Sequence, residues 1–417
     1  MKRLVHPGPF LALLFLTMLF TAAGTAQEPA KTMLPLQAAP DMPAPNPKGT
    51  DPKPEPAEAA LLAAFDNHEV VGMSAAHGNK DLDDFILHLL RNPTFPSKVN
   101  VIAVECGNSL YQPTLDRYIA GEDVPLSEAR KVWRNTTQPM CGLSGFYEQF
   151  FPLVRRINQT LPPAKKLRVL AYDPPIDWSK IDTPADFGRG QYLMRDPAIA
   201  SVMEKEVLSK HRKALMLIGT AHLFHQQGSA VGIYEKDYPG ITLVIADHTG
   251  FGNSTPLAKY NGDFEARMAS WPVPSLVQNL NGTWLADLLD MTYAKPVFFG
   301  PAAKRKLPAG SPAKTSLSEI PRDSEIKVSK MVDAYLYLGP RDLLLHEPTP
   351  AAIVLDRDYI SELQRRAAFM GRGPIQDQIN PQSILDRDSN PFLYDPDELN
   401  NLTQPIGSFS PAPGNMN

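Results

Sequence analysis

Val99-Asn100-Val101-Ile102-Ala103-Val104-Glu105-Cys106-Gly107 decides how the chain is read. An apolar run of strand length, rich in β-branched residues, stops at a carboxylate, a thiol and a glycine. It shows little polar alternation, which is the pattern of a strand buried on both faces. The same build recurs along the chain. Residues 69–73 run into Ala75-Ala76-His77-Gly78, and residues 167–172 end at Asp173-Pro174-Pro175. Residues 214–218 lead to Gly219-Thr220-Ala221-His222, residues 241–246 to Asp247-His248, and residues 332–338 to Gly339-Pro340-Arg341. Between these strands the period changes. Leu82, Phe85, Ile86, Leu89 and Leu90 make one face of a helix, as do Phe146, Phe150, Val154, Ile157 and Leu161. Asp196-Pro197 reads as a helix start, a capping carboxylate before a first-turn proline. Buried strands alternating with helices predict an α/β fold, a mostly parallel sheet flanked by helices on both faces.

The ends of the chain read differently. Met1-Lys2-Arg3, an apolar run from Phe10 to Phe20 and the small residues Gly24-Thr25-Ala26 form a signal peptide over residues 1–26. The expected location is therefore exported, periplasmic or extracellular. Residues 27–57 hold a proline-rich linker, and 372–417 a tail rich in Pro and Asn. The domain is expected over 58–371. No later run is long and apolar enough for a membrane helix. A net charge of −4 with mixed signs gives no reason to expect a nucleic-acid partner. The expected partner is a small-molecule ligand or substrate. The two cysteines, Cys106 and Cys141, lack zinc-ligand spacing, and an oxidising compartment leaves both a disulfide and two buried thiols open.

Five strands in succession end in an ionisable residue: His77, Glu105, Asp173, His222 and His248. In a parallel sheet all carboxyl ends share one edge, and open α/β folds bind ligands outside it. Imidazoles and a carboxylate gathered there can move protons, hold a metal or polarise a substrate oxygen. His77, Glu105 and His222 are the catalytic candidates. Asp173, His248 and Arg117 are candidates for substrate binding, alongside the plainer roles of turn cap, loop residue and surface ion pair. There is no nucleophile elbow, phosphate-binding loop or HExxH.

Four segments, in order, resemble the erythromycin esterase-like, ChaN-like and Tiki-like superfamily. These are Val70-Val71-Gly72-Met73-Ser74-Ala75-Ala76-His77-Gly78, Val101-Ile102-Ala103-Val104-Glu105, Ile218-Gly219-Thr220-Ala221-His222-Leu223 and Val332-Asp333-Ala334-Tyr335-Leu336-Tyr337-Leu338. The resemblance implies a strand-end site built on His77, Glu105 and His222. Its esterase branch implies metal-free acid–base hydrolysis of an ester or lactone. There His77 activates water, Glu105 orients it, and His222 stabilises the oxyanion or protonates the leaving group. The ChaN branch implies a non-catalytic haem or iron carrier. The Tiki branch implies a metallopeptidase with the three residues as ligands. The acidic residue that the family carries near its first histidine falls at Ser74 or Ala75 here, and neither is acidic. The esterase-like hydrolase is the leading expectation, with no cofactor; a metal ion or haem belongs to the alternatives.

Overall fold

The computed structural model describes residues 44–75, 78–190, 192–248, 258–293, 327–375 and 379. The expected signal peptide, His77 and most of the 372–417 tail lie outside the described residues. Eight strands form one sheet: β1 (Pro54–Pro56), β2 (Val70–Met73), β3 (Val101–Asn108), β4 (Arg168–Asp173), β5 (Ala214–Leu217), β6 (Thr242–Asp247), β7 (Ser275–Gln278) and β8 (Ala334–Tyr337). Their order across the sheet is β1-β7-β8-β6-β2-β5-β3-β4. All six strands expected from apolar runs are present, and all pair in parallel. The fold is α/β.

The reason lies in the strands' two faces. In β3, Ile102 and Val104 point into one apolar core with the helices Lys80–Arg91, Gln112–Ala120 and Gly145–Thr160. Val101 and Ala103 point into the other core, with the helix Arg195–Glu206. Such a strand cannot alternate polar and apolar, because neither face meets water. The helix Lys80–Arg91 buries the predicted Leu82, Phe85, Ile86, Leu89 and Leu90, and Asn79 caps it by accepting from the amides of Asp81 and Leu82.

Two antiparallel strands, β1 at the sheet edge and β7 beside it, were not legible in the sequence. β1 lies in the stretch expected to be a linker. Its prolines are tolerated because an edge strand needs no ladder donor on its free side. Upstream of β1, Thr50 N donates to Gly282 O at 2.9 Å, and Trp284 N donates to Thr50 O at 3.0 Å. The domain therefore begins before residue 58, and the linker is shorter than composition implied. Ile375, on the far side of the expected boundary, is buried against Leu143, Ile353 and Leu363.

Cys106 and Cys141 form a disulfide, and both are buried. The bridge ties β3, one residue after Glu105, to the 3-10 turn Pro139–Leu143. Replacing both cysteines by alanine is expected to cost about 2–4 kcal/mol, chiefly by freeing the unfolded chain. Urea denaturation monitored by circular dichroism checks this; an unchanged midpoint would show that the bridge adds nothing to stability.

Candidate functional site

β6, β2, β5, β3 and β4 lie side by side, so their carboxyl ends form one row. Asp247 ends β6, Ser74 follows β2, Gly219 to His222 follow β5, Glu105 lies within β3, and Asp173 ends β4. Two adjacent residues of a helix, Arg195 and Asp196, draw three of the candidates together.

Arg195 is the first residue of the helix Arg195–Glu206 and is buried. Its Nη2 lies 2.8 Å from Glu105 Oε1, and its Nε donates to Asp173 Oδ1 at 2.8 Å. Glu105 Oε2 accepts from Gly219 N at 3.0 Å. Asp173 also accepts from Thr137, from the amide at 2.6 Å and from the hydroxyl. Two carboxylates and one guanidinium are thus removed from water together. Burial opposes the Arg195 charge, and the two carboxylates overcome it, holding its pKa above the usual value. Burial pushes the Asp173 carboxyl up, while Arg195 and Thr137 act against that rise. Asp173 is fully buried, so its carboxylate faces protein rather than a ligand.

Asp196 does not cap its helix, contrary to expectation: the cap position is Met194, with no side-chain bond. Instead, Asp196 Oδ1 lies 2.8 Å from His222 Nδ1 and accepts from Ala230 N at 2.8 Å. A carboxylate on Nδ1 fixes the imidazole with its proton on that nitrogen, leaving Nε2 as the basic atom. The His222 side chain is 20% exposed, so the ring reaches solvent. Gly72 in β2 helps to seat it. A Cβ there would lie 2.7 Å from Leu223 Cδ2, so glycine lets the short helix Thr220–Leu223 close onto the sheet.

Asp247 completes the row. It is half-buried, and Thr220 Oγ1 lies 3.5 Å from its Oδ1. Burial raises its carboxyl, against hydrogen bonds that include Thr220 and Ser74. The sequence showed Asp247 only as a strand terminus. Asp196 was legible only as a helix start and Arg195 not at all, since nothing local tells a capping carboxylate from one aimed at a distant histidine.

The remaining candidates stand apart. Both ring nitrogens of buried His248 are engaged, Nδ1 with Tyr335 Oη at 2.5 Å and Nε2 with Glu265 Oε1 at 2.9 Å. Arg117 is a surface residue paired with Glu122 at 2.8 Å, its side chain 60% exposed. Neither offers a substrate contact in this arrangement. As a metal ligand Glu105 does not fit: both oxygens are engaged, one of them by a guanidinium that would repel the ion. Among the described residues no group of three His, Cys, Asp or Glu is arranged to hold a metal.

No protein-family model matches the chain. No curated protein matches it either. A crystallised protein from Bacillus cereus superposes with a TM-score of 0.43 at 10% identity, over 72% of this chain and 96% of that one. A likeness this loose carries no argument about chemistry. Among the described residues no helix is long and apolar enough to cross a membrane.

A second histidine cluster lies close in sequence to the first. His225 sits between two carboxylates, with Nδ1 2.6 Å from Glu235 Oε2 and Nε2 2.8 Å from Asp333 Oδ2. Burial works against its charge, but the two carboxylates win, and the imidazole pKa is pushed up to about 9. Asp333 Oδ2 also accepts from Val244 N and Glu235 Oε1 from Thr242 N, so the cluster clamps β6 beside β8. The clamp stabilises fully below the unfolded histidine pKa of about 6.5, and that contribution fades as pH rises through about 9. His225→Gln is expected to lower stability by about 1–3 kcal/mol at pH 6 and by much less at pH 10. Thermal unfolding across that range checks this; an equal loss at both ends would remove the charge from the account.

Proposed function

We propose that the chain is an exported hydrolase that cleaves an ester or lactone by acid–base chemistry at the carboxyl edge of its sheet. The observation that carries this reading is the Asp196–His222 pair, a solvent-reaching imidazole oriented by a carboxylate 2.8 Å from Nδ1. His222 Nε2 takes a proton from water as its oxygen attacks the substrate carbonyl. The protonated ring then returns that proton to the departing alkoxide, so the ring ends neutral. Asp196 accepts a hydrogen bond from Nδ1–H throughout and stabilises the imidazolium formed between the steps. Glu105 acts as a positioning residue: it holds Gly219, at the start of the His222 segment, while Arg195 neutralises it. His77 enters on its sequence position, three residues after Ser74, as the group to share proton transfer or polarise the carbonyl.

The test is hydrolysis of nitrophenyl esters and of aliphatic lactones by the mature protein, with His222→Ala beside it. Turnover by the wild type that falls about 10²–10⁴-fold in the variant, with the fold intact by circular dichroism, supports the reading. Equal rates in the two proteins, or no turnover across the panel, would defeat it.

A further inference from the structure

A small cavity is lined by Asp83, Glu347, Leu87, Phe146, Gln149 and Pro350. Two of these side chains are carboxyls that the mechanism does not use. Asp83 lies on the buried face of the helix Lys80–Arg91 at 4% exposure, and its Oδ2 has no hydrogen-bond partner. A buried carboxylate oxygen without a donor is costly, whereas a protonated one is not. Glu347 lines the same cavity from the strap 345–350. It accepts from the amide of Phe146 and from Ser144 Oγ at 3.2 Å, so it caps the helix Gly145–Thr160. Those donors favour the anion at Glu347 and place the proton on Asp83.

The strap is a latch. Glu347 N donates to Gly78 O at 2.8 Å, Lys80 N to Leu345 O at 3.0 Å, and Leu345 N to Asp81 Oδ2 at 2.6 Å. Asn79 and His346 form an isolated bridge between them. These bonds hold the turn at Gly78, whose φ of 98° suits glycine, five residues after the end of β2. We propose that Asp83 carries a proton beside the Glu347 carboxylate, and that this proton keeps the strap closed over the turn that follows β2.

Other charges around the pair do not replace it. Lys80 is paired with Asp84 on its own helix. From the helix Gly145–Thr160 comes the Tyr147 hydroxyl, which burial and the nearby carboxyls Glu105, Asp83 and Glu347 make harder to ionise. His346 is the neighbour on the strap. Burial pushes Glu347 up to about 7, and burial with the Glu347 charge raises Asp83 well above the carboxylate range. Carboxyls raised on folding stabilise below their unfolded pKa of about 4, and that stability is lost as pH rises through the folded values.

Asp83→Asn supplies a neutral side chain of the same shape that needs no proton. Its melting temperature should match the wild type at pH 5 within about 1 °C and exceed it at pH 8 by about 3–6 °C. Hydrogen exchange of the Glu347 amide, corrected for its intrinsic rate, should lose about tenfold protection in the wild type between pH 6 and pH 8, and none in the variant. Parallel melting curves, or wild-type protection that does not change with pH, would overturn the proposal. Should Asp83→Asn fail to fold, the wild-type exchange profile decides alone.

Discussion

Arg195→Met loses about 3–5 kcal/mol of stability at pH 8, the largest effect expected of any single substitution outside the apolar cores. Methionine matches the guanidinium stem in bulk but leaves Glu105 and Asp173 without the cation that neutralises both. The loss is the cost of two buried uncompensated charges, not the net worth of the ion pairs. That distinction sets two further outcomes. The deficit should shrink at pH 5, where the orphaned carboxyls more readily take up protons. Glu105→Gln with Asp173→Asn in the Arg195→Met background should recover much of the loss, because neutral isosteres remove the unpaired charges. Urea denaturation of the series at pH 5 and pH 8 measures all of this. A single-variant loss below about 1 kcal/mol would mean that the site is wetter than its burial indicates.

Asp196→Asn is the second large effect, and it falls on rate rather than on stability. The amide oxygen can still accept from Ala230 N, so the helix contact survives. The carboxylate on His222 Nδ1 does not. The ring is then free to carry its proton on Nε2, where it cannot act as a base, and the imidazolium loses its counter-charge. On the proposed mechanism kcat falls about 10²–10⁴-fold with little change in KM. Rescue by the conservative variant is the discriminating readout: Asp196→Glu, which keeps a carboxylate, should recover part of the lost rate. An Asp196→Asn variant with unchanged kcat would reduce Asp196 to a helix contact.

Much of the fold was legible because its physics is local. Buried parallel strands must be apolar throughout, so all six parallel strands, β3 and β8 among them, stood out as unbroken runs, and the helix Lys80–Arg91 as a 3.6-residue stripe. β1 was hidden by its prolines, which only a sheet edge tolerates, and β7 because Ser275-Leu276-Val277-Gln278 holds too few apolar residues to make a run.

The site divides along the same line. Sequence by itself placed Asp173, His222 and His248 at or just past the ends of strands and Glu105 near one, although β3 runs on to Asn108, since the residue that ends an apolar run is local information. Tertiary structure alone decided what each one touches. Arg195 and Asp196, neighbours on one helix, reach Glu105 and Asp173 on one side and His222 on the other, across separations that no periodicity encodes. It likewise sent His248 to Tyr335 and Glu265 and left Arg117 on the surface with Glu122. Burial is what turns these positions into chemistry. A carboxylate at a strand end looks the same in any sequence, and only the packing around it settles whether it meets water, a guanidinium or an imidazole.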